Sequence, residues 1–227
     1  MQAYIKIISR FGGMLASGFA LTVEITVGAI LIGLVLGFIL AVMKIYGFKF
    51  VKWIATAYID LIRGTPMIVQ LFIIYYGLRS TGLIMLTPMQ AAIIGMGLNS
   101  AAYQAEYFRT AFLAIPTGQS DAALSMGMTR AGVILNILLP QIVRIVIPSW
   151  TNELIALTQY SSLAMILTVM ELTSVAQYIG SKTFLYIQAF IIVGAIYLVL
   201  SVLLTRLMVY FEKHFAISGV SAAKGRI

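Results

Sequence analysis

Apolar residues occur along this chain in long blocks separated by short polar intervals, and the length of each block predicts what it builds. A helix needs about 20 mostly apolar residues to cross the hydrocarbon core of a bilayer. Five blocks approach or exceed that length: roughly Gly18–Met43, Trp53–Leu78, Pro88–Leu113, Ile142–Thr158 and Phe184–Phe211. The fourth is short and polar at its end. The apolar stretch after it, Leu163–Val169, is too short to span and is expected to pack near the outer surface or to re-enter. Gly47, Gly82, Pro88, Pro116, Gly118, Pro140 and Gly180 fall where spans should end. Ahead of the first block, Tyr4, Ile5, Ile7, Ile8 and Phe11 stand beside Lys6 and Arg10. That mixture predicts an interfacial amphipathic helix rather than a cleaved signal, since no small-residue cleavage site follows an apolar core. The pattern as a whole predicts an all-α integral membrane protein. Residues 1–227 form a single transmembrane domain, because the longest intervals, 114–140 and 159–183, are too short to fold as a second one.

Composition agrees. The 227 residues are 61% hydrophobic and 10% charged, against about 25% charged in soluble domains, and the mean hydropathy is +1.02. The net charge of +8 would suit a nucleic-acid binder, but its distribution does not. Lys44, Lys49, Lys52, Arg109, Arg130, Arg144, Arg206, Lys213, Lys224 and Arg226 all fall on one side of the five spans if the N-terminus is outside. Lys6, Arg10, Arg79 and Lys182 fall on the other. The positive-inside rule therefore sets N-out, C-in, and the basic excess is topology with no nucleic acid implied. There is no cysteine, so disulfide and thiol chemistry are absent.

Two features of the spans bear on packing. Gly33 and Gly37, with Gly28 above them, leave one face of the first span open to close backbone approach, expected within the same subunit. Pro66 lies mid-span in the second and removes a backbone hydrogen bond, predicting a kink whose freed carbonyl is satisfied by protein or a cavity.

The polar interval at about 116–140 has a fixed internal pattern: Asp121-Ala122-Ala123, three residues, Gly127, nine residues, Ile137, one residue, Leu139-Pro140. Thr117 or Ser120 is placed to cap a short helix, with Asp121 near its positive end. Ala and Gly keep its profile low, so a partner backbone can come close.

This segment resembles the cytoplasmic coupling helix by which permeases of ATP-binding-cassette importers dock on their ATPases, with Asp121 where the family usually has Glu. The resemblance extends over roughly residues 60–172. Arg63-Gly64-Thr65-Pro66 with Gln70-Leu71-Phe72 is similar to the second-span signature of polar amino-acid uptake permeases. Ala101-Ala102-Tyr103 with Glu106 and Arg109 is similar to their third-span pattern, and Gly118-Gln119, Pro140-Gln141 and Ser162-Leu163 also fit. Before Ser162 the family usually carries Lys-Asp-Thr; Gln159-Tyr160-Ser161 stands here and loses both charges. The resemblance implies a permease subunit in a bacterial or archaeal cell (inner) membrane. Its implied partners are ABC ATPase subunits that bind ATP and magnesium, a second permease subunit (an identical copy or a close homologue), an extracytoplasmic solute-binding protein, an amino-acid substrate and membrane lipid. Import as the direction of transport rests on the resemblance.

Ionisable groups inside spans are costly and mark function by default. At about 1.5 Å per residue, Arg63, Asn99 and Glu153 each lie roughly 15 or 16 Å into their spans, near the midplane where transporters hold substrate. Tyr103 shares a helical face with Asn99, and Gln159 and Ser162 are placed toward the mouth. A midplane carboxylate is offset by a cationic guest, so Glu153 points to a basic amino acid: arginine, lysine or histidine. The competing reading pairs Glu153 with Arg63 or Arg144 in a structural bridge. Asp60 with Arg63, and Glu106 with Arg109, have the spacing of in-helix pairs.

No phosphate-cradling loop, nucleophile–base set or metal spacing is present; Gly180-Ser181-Lys182-Thr183 lacks the glycine such a loop needs. The chain is therefore read as a transport subunit, with no catalytic or metal-binding residues and no cofactor of its own. Two alternatives remain: a permease for a polar or neutral amino acid such as glutamine, or an ATPase-independent secondary transporter with Glu24, Glu106 and Glu153 as a proton relay. The absence of an evident inverted repeat weighs against the second.

Overall fold

A computed structural model describes residues 2–82 and 84–215; Lys224 and Arg226, used above to orient the chain, lie outside the described residues. The elements are α1 (Gln2–Tyr46), α2 (Lys49–Arg63), α3 (Met67–Phe72), a π-turn (Ile73–Gly77), α4 (Leu78–Ser80), α5 (Pro88–Ala114), α6 (Thr117–Ser125) and α7 (Arg130–Gly132). A second π-turn (Val133–Leu138), α8 (Leu139–Tyr160), a 3-10 turn (Ser161–Leu167), α9 (Leu172–Thr183) and α10 (Tyr186–Phe215) follow. There is no strand among the described residues.

α5 is the central post. Thr87 caps it, accepting the Gln90 backbone N–H while the Gln90 side chain accepts from Thr87, and Pro88 opens its first turn. α1 lies along it through Gly28, Gly33 and Gly37. A Cβ on Gly37 would sit 2.8 Å from Gln104 Cβ, and one on Gly28 2.8 Å from Ile93. The glycine face therefore serves packing inside the subunit, as its spacing suggested.

The interfacial helix expected over 1–15 is not a separate element: α1 runs unbroken for 45 residues. Ile7, Phe11 and Leu15 are buried against Leu172, Val175 and Ile179 of α9 and Ala189 and Val193 of α10. Their apolar face meets protein instead of lipid, which removes the reason to lie flat.

The kink expected at Pro66 is a break of 106° between Lys49–Arg63 and Met67–Ser80. Gly64 closes α2 by donating to the Asp60 carbonyl at 2.8 Å, and Pro66 is extended, with no N–H to continue the ladder. The carbonyls left over are taken up internally. Gln70 Nε2 donates to Ile62 O at 2.8 Å and to Thr65 O at 3.0 Å, and Thr65 Oγ1 donates to Leu61 O at 2.8 Å. Irregular backbone at membrane depth requires that kind of satisfaction.

Among the described residues, three helices are long and apolar enough to cross a membrane, Gln2–Tyr46, Arg130–Leu167 and Tyr186–His214, and the bent pair makes a fourth if it is one span. α5, expected as a span, is more polar than these helices. Asn99, Ser100 and Gln104 are buried among neighbouring helices, so they never face lipid. The Leu163–Val169 stretch, expected near the outer surface or re-entering, packs against neighbouring helices. It seats Ala164, Leu167 and Val169 in one cluster with Ile25, Leu71 and Met96.

Candidate functional site

Glu153 projects from α8 and is 7% exposed. It accepts a hydrogen bond from Ser100 Oγ at 2.5 Å and from the Tyr107 hydroxyl at 3.2 Å. Ser100 in turn accepts from Gln104 Nε2 at 3.0 Å, and Gln104 Nε2 also donates to the Ile30 carbonyl at 3.3 Å. The carboxylate is thus positioned by neutral donors of α5. Neither Arg63 nor Arg144 forms an ion pair with it, and the structural bridge weighed above is not made.

Arg63 ends α2 at the bend and is exposed. Its guanidinium lies 5.3 Å from the centroid of the Tyr103 ring, within cation–π range, and it does not pair with Asp60. Tyr103 and Tyr107 are one turn apart on α5. A polar series therefore runs Arg63, Tyr103, Tyr107, Glu153, with opposite charges at its ends and two aromatic rings between. Tyr107 was missed from the sequence, although its i+4 relation to Tyr103 was the signal available.

Asn99 does not join this series. Its Nδ2 donates to Gln70 Oε1 at 2.9 Å, and both residues are buried. It braces the bend, with its amide engaged by Gln70 in this structure. Gln159 and Ser162 are also elsewhere. They line a cavity of about 300 Å³ between α8 and α10 with Thr173, Phe190 and Tyr197, and Ser162 Oγ donates to the Gln159 carbonyl at 2.7 Å.

Two further carboxylates are tied down. Glu106 pairs with Arg109 at 2.8 Å, as its spacing predicted, and with Lys44 of α1 at 2.7 Å. Glu171, fully buried, caps α9 by accepting from the Thr173 and Ser174 backbones at 2.7 and 2.8 Å and from the Tyr197 hydroxyl at 2.9 Å. An acidic residue just before a helix start was the sequence signal for it.

The Asp121–Pro140 segment is a helix–turn–helix at the ends of α1 and α5. Pro116, not Thr117 or Ser120, occupies the cap position of α6 and supplies no side-chain bond, so Asp121 lies beyond the first turn. Gly127 has φ 83°, and its N–H and that of Met128 close the helix on Leu124 O and Ala123 O. Only glycine adopts that left-handed turn cheaply, which accounts for glycine at this place in the pattern. Ala123 and Leu138 are buried against Phe108 and Phe112. Asp121, Ala122 and Pro140 are exposed, Ile137 and Leu139 half-buried, and Met126 is 85% exposed. The loop is rooted in the core on one side and presents a partly apolar face on the other.

Residues 33–217 match the family described as binding-protein-dependent transport system inner membrane component. The chain is similar to the arginine transport system permease protein ArtQ of Bacillus subtilis (strain 168), 37% identical over 188 residues that cover 83% of this chain and 86% of that one. It is similar as well to the probable glutamine ABC transporter permease protein GlnM of the same organism, 34% identical over 200 residues, 88% of this chain and 92% of that one. Among solved structures it is similar to one described as an amino acid ABC transporter with histidines. There the TM-score is 0.84 at 33% identity, over 93% of this chain and 98% of that one.

Proposed function

We propose, from the premise that this chain belongs to the family of binding-protein-dependent transport system inner membrane components, that it is the permease of an importer for basic amino acids. Membership makes it a membrane transport component that works with ATPase and binding-protein partners, not an enzyme. The observation that carries the substrate reading is the hydrogen-bonding of Glu153. It is a buried carboxylate held by Ser100 and Tyr107, with no cation paired to it among the described residues. Burying an ion without a counter-charge is costly, and a cationic side chain of the substrate removes that cost. Arg63, at the other end of the series, suits the substrate's α-carboxylate, and the rings of Tyr103 and Tyr107 suit the stem between.

In this reading the chain is one domain of five spans, N-out and C-in, in a bacterial inner membrane, paired with a second permease chain. ATP closing the partner ATPases draws the Asp121–Pro140 loops together and turns the path outward. Substrate enters from the binding protein, and hydrolysis returns the path inward. Asp121, Ala122, Ala123, Gly127, Ile137, Leu139 and Pro140 transmit that motion; ATP and magnesium stay on the ATPase.

The test is ATP hydrolysis by the permease–ATPase–binding-protein complex in liposomes with arginine, lysine, histidine and glutamine in turn. Stimulation by the basic amino acids, lost in Glu153→Gln, is the expected result. Stimulation by glutamine that is indifferent to Glu153→Gln returns the carboxylate to a structural role and favours the neutral substrate, a reading that similarity to the glutamine permease supports. Substrate movement without any ATPase would instead identify a secondary transporter.

A further inference from the structure

At the end of the molecule farthest from α6, Lys6 and Arg10 of α1 and Lys182 of α9 line a cavity of about 260 Å³ floored by Ile7, Phe11 and Leu185. All three cations are exposed. No acidic side chain lines the cavity, and none of the three forms an ion pair with a described carboxylate. Lys6 and Arg10 are four apart on one helix, where like charges repel, and Lys182 brings a third charge from another element. Rings lie near two of them, Phe11 at 5.4 Å from Arg10 and Tyr178 at 5.6 Å from Lys182, but a ring leaves the charge in place. The cluster therefore presents three positive charges with no acidic partner at one place on the surface. Thr183 does not compete for an anion there, because its hydroxyl already donates to the Ile179 carbonyl at 2.7 Å.

The surroundings indicate what the anion is attached to. In the turn joining α9 to α10, Phe184 is 86% exposed and holds φ 60°, a left-handed conformation bulky residues avoid. Ile187 is 73% exposed and Ile5 62%. Cations beside exposed aromatic and aliphatic side chains at the ends of spanning helices are the chemistry of the membrane–water interface. Along α1, Arg10 and Lys44 are separated by roughly 50 Å, which places the cluster at the bilayer face opposite the coupling loop for a thickness of about 40–45 Å with headgroups. Of the four basic residues that sequence assigns to that face, Lys6, Arg10, Arg79 and Lys182, three converge here.

We propose that Lys6, Arg10 and Lys182 bind the phosphate of an anionic phospholipid headgroup, with the acyl chains continuing down the exposed apolar flanks of α1 and α10. The site fastens the outer ends of α1, α9 and α10 to the leaflet, independently of which substrate the permease carries.

The experiment uses the full chain with its ATPase partner in detergent, titrated with phosphatidylglycerol, phosphatidylcholine and, separately, inorganic phosphate. Bound lipid is counted by native mass spectrometry, and the melting temperature is followed in parallel. Retention of phosphatidylglycerol on the order of tenfold over phosphatidylcholine is expected, with a raised melting temperature. The triple variant Lys6→Gln/Arg10→Gln/Lys182→Gln should lose that selectivity, while Lys6→Arg/Arg10→Lys/Lys182→Arg should keep it. Equal retention of the two lipids by the unmodified chain, or undiminished selectivity in the glutamine triple, overturns the proposal. Stabilisation by inorganic phosphate equal to that by phosphatidylglycerol overturns the lipid source in favour of a soluble anion. A glutamine triple that keeps its lipid selectivity but loses affinity for the solute-binding protein overturns it in favour of a protein contact.

Discussion

The Asn99 side-chain amide donates to the Gln70 side-chain carbonyl across 2.9 Å, and through that contact α5 grips the 106° break between α2 and α3. The other end of the same Gln70 amide donates to Ile62 O, Thr65 O and Thr65 Oγ1. One buried side chain thus replaces the ladder bonds that Pro66 interrupts. Arg63, immediately before the break, is presented over Tyr103 as a consequence.

Gln70→Leu should therefore destabilise more than Asn99→Leu. The second leaves one buried acceptor unpaired, costing about 1–3 kcal/mol; the first orphans the Ile62 and Thr65 carbonyls together. Unfolding midpoints in micelles measure the order. Asn99→Leu as damaging as Gln70→Leu, or both silent, would mean that the bend is held by something else.

Gly33→Ala should loosen α1 from α5 and disturb Glu153 at a distance. A Cβ there falls 2.7 Å from Ser100 Oγ and even nearer to Gln104 Nε2, the two groups that precede Glu153 in its hydrogen-bond chain. Overpacking of this kind costs about 1–3 kcal/mol. Gly12→Ala on the same helix meets nothing within 4 Å and should be neutral or slightly stabilising. Paired thermal unfolding and substrate-stimulated ATP hydrolysis distinguish the two, and equal behaviour would remove the argument.

Much of this architecture was legible before any coordinates. Block lengths located the long helices, and the Gly33–Gly37 spacing identified the face α1 turns to α5. What failed did so for physical reasons. Asn99 and Glu153 share a depth and a polarity, and sequence could not show that Asn99 bonds Gln70 while Glu153 bonds Ser100 and Tyr107. The residues 1–15 have the composition of an interfacial helix, but Ile7, Phe11 and Leu15 are claimed by α9 and α10, partners more than 150 residues away in the chain, while Ile5 and Ile8 stay exposed. The polarity of α5 was legible in sequence, but not that neighbouring helices bury its Asn99, Ser100 and Gln104. Tyr107 lacks a charge and so drew no attention, although it touches the carboxylate directly.

Gly127→Ala should weaken coupling while leaving the membrane fold intact. The added methyl meets nothing within 4 Å, so its cost is that of φ 83° alone, about 1–2 kcal/mol for a non-glycine residue in the left-handed region. That strain is relieved by shifting the turn after α6, moving exposed Met126 and the Asp121 face relative to the ATPase. Reduced co-purification of the ATPase at unchanged melting temperature of the permease is expected. Full co-purification with full coupled hydrolysis would show that the turn is not read by the partner.

Tyr107→Phe and Tyr103→Phe separate the two ends of the polar series. Tyr107 gives its hydroxyl to Glu153 at 3.2 Å, and a hydrogen bond to a charged group contributes about 1.5–3 kcal/mol. Its loss should change the concentration of basic amino acid that half-saturates ATP hydrolysis by roughly tenfold or more. Tyr103 presents a ring face to Arg63, and phenylalanine keeps that face, so Tyr103→Phe should be nearly silent. Tyr103→Ala removes the ring and about 0.5–1 kcal/mol of cation–π attraction, freeing Arg63 to swing away; it should weaken basic and neutral amino acids alike, since every one carries the α-carboxylate assigned to Arg63. If Tyr107→Phe instead weakens basic and neutral substrates equally, Glu153 does not read the side chain, and the division of labour between the two charged ends fails.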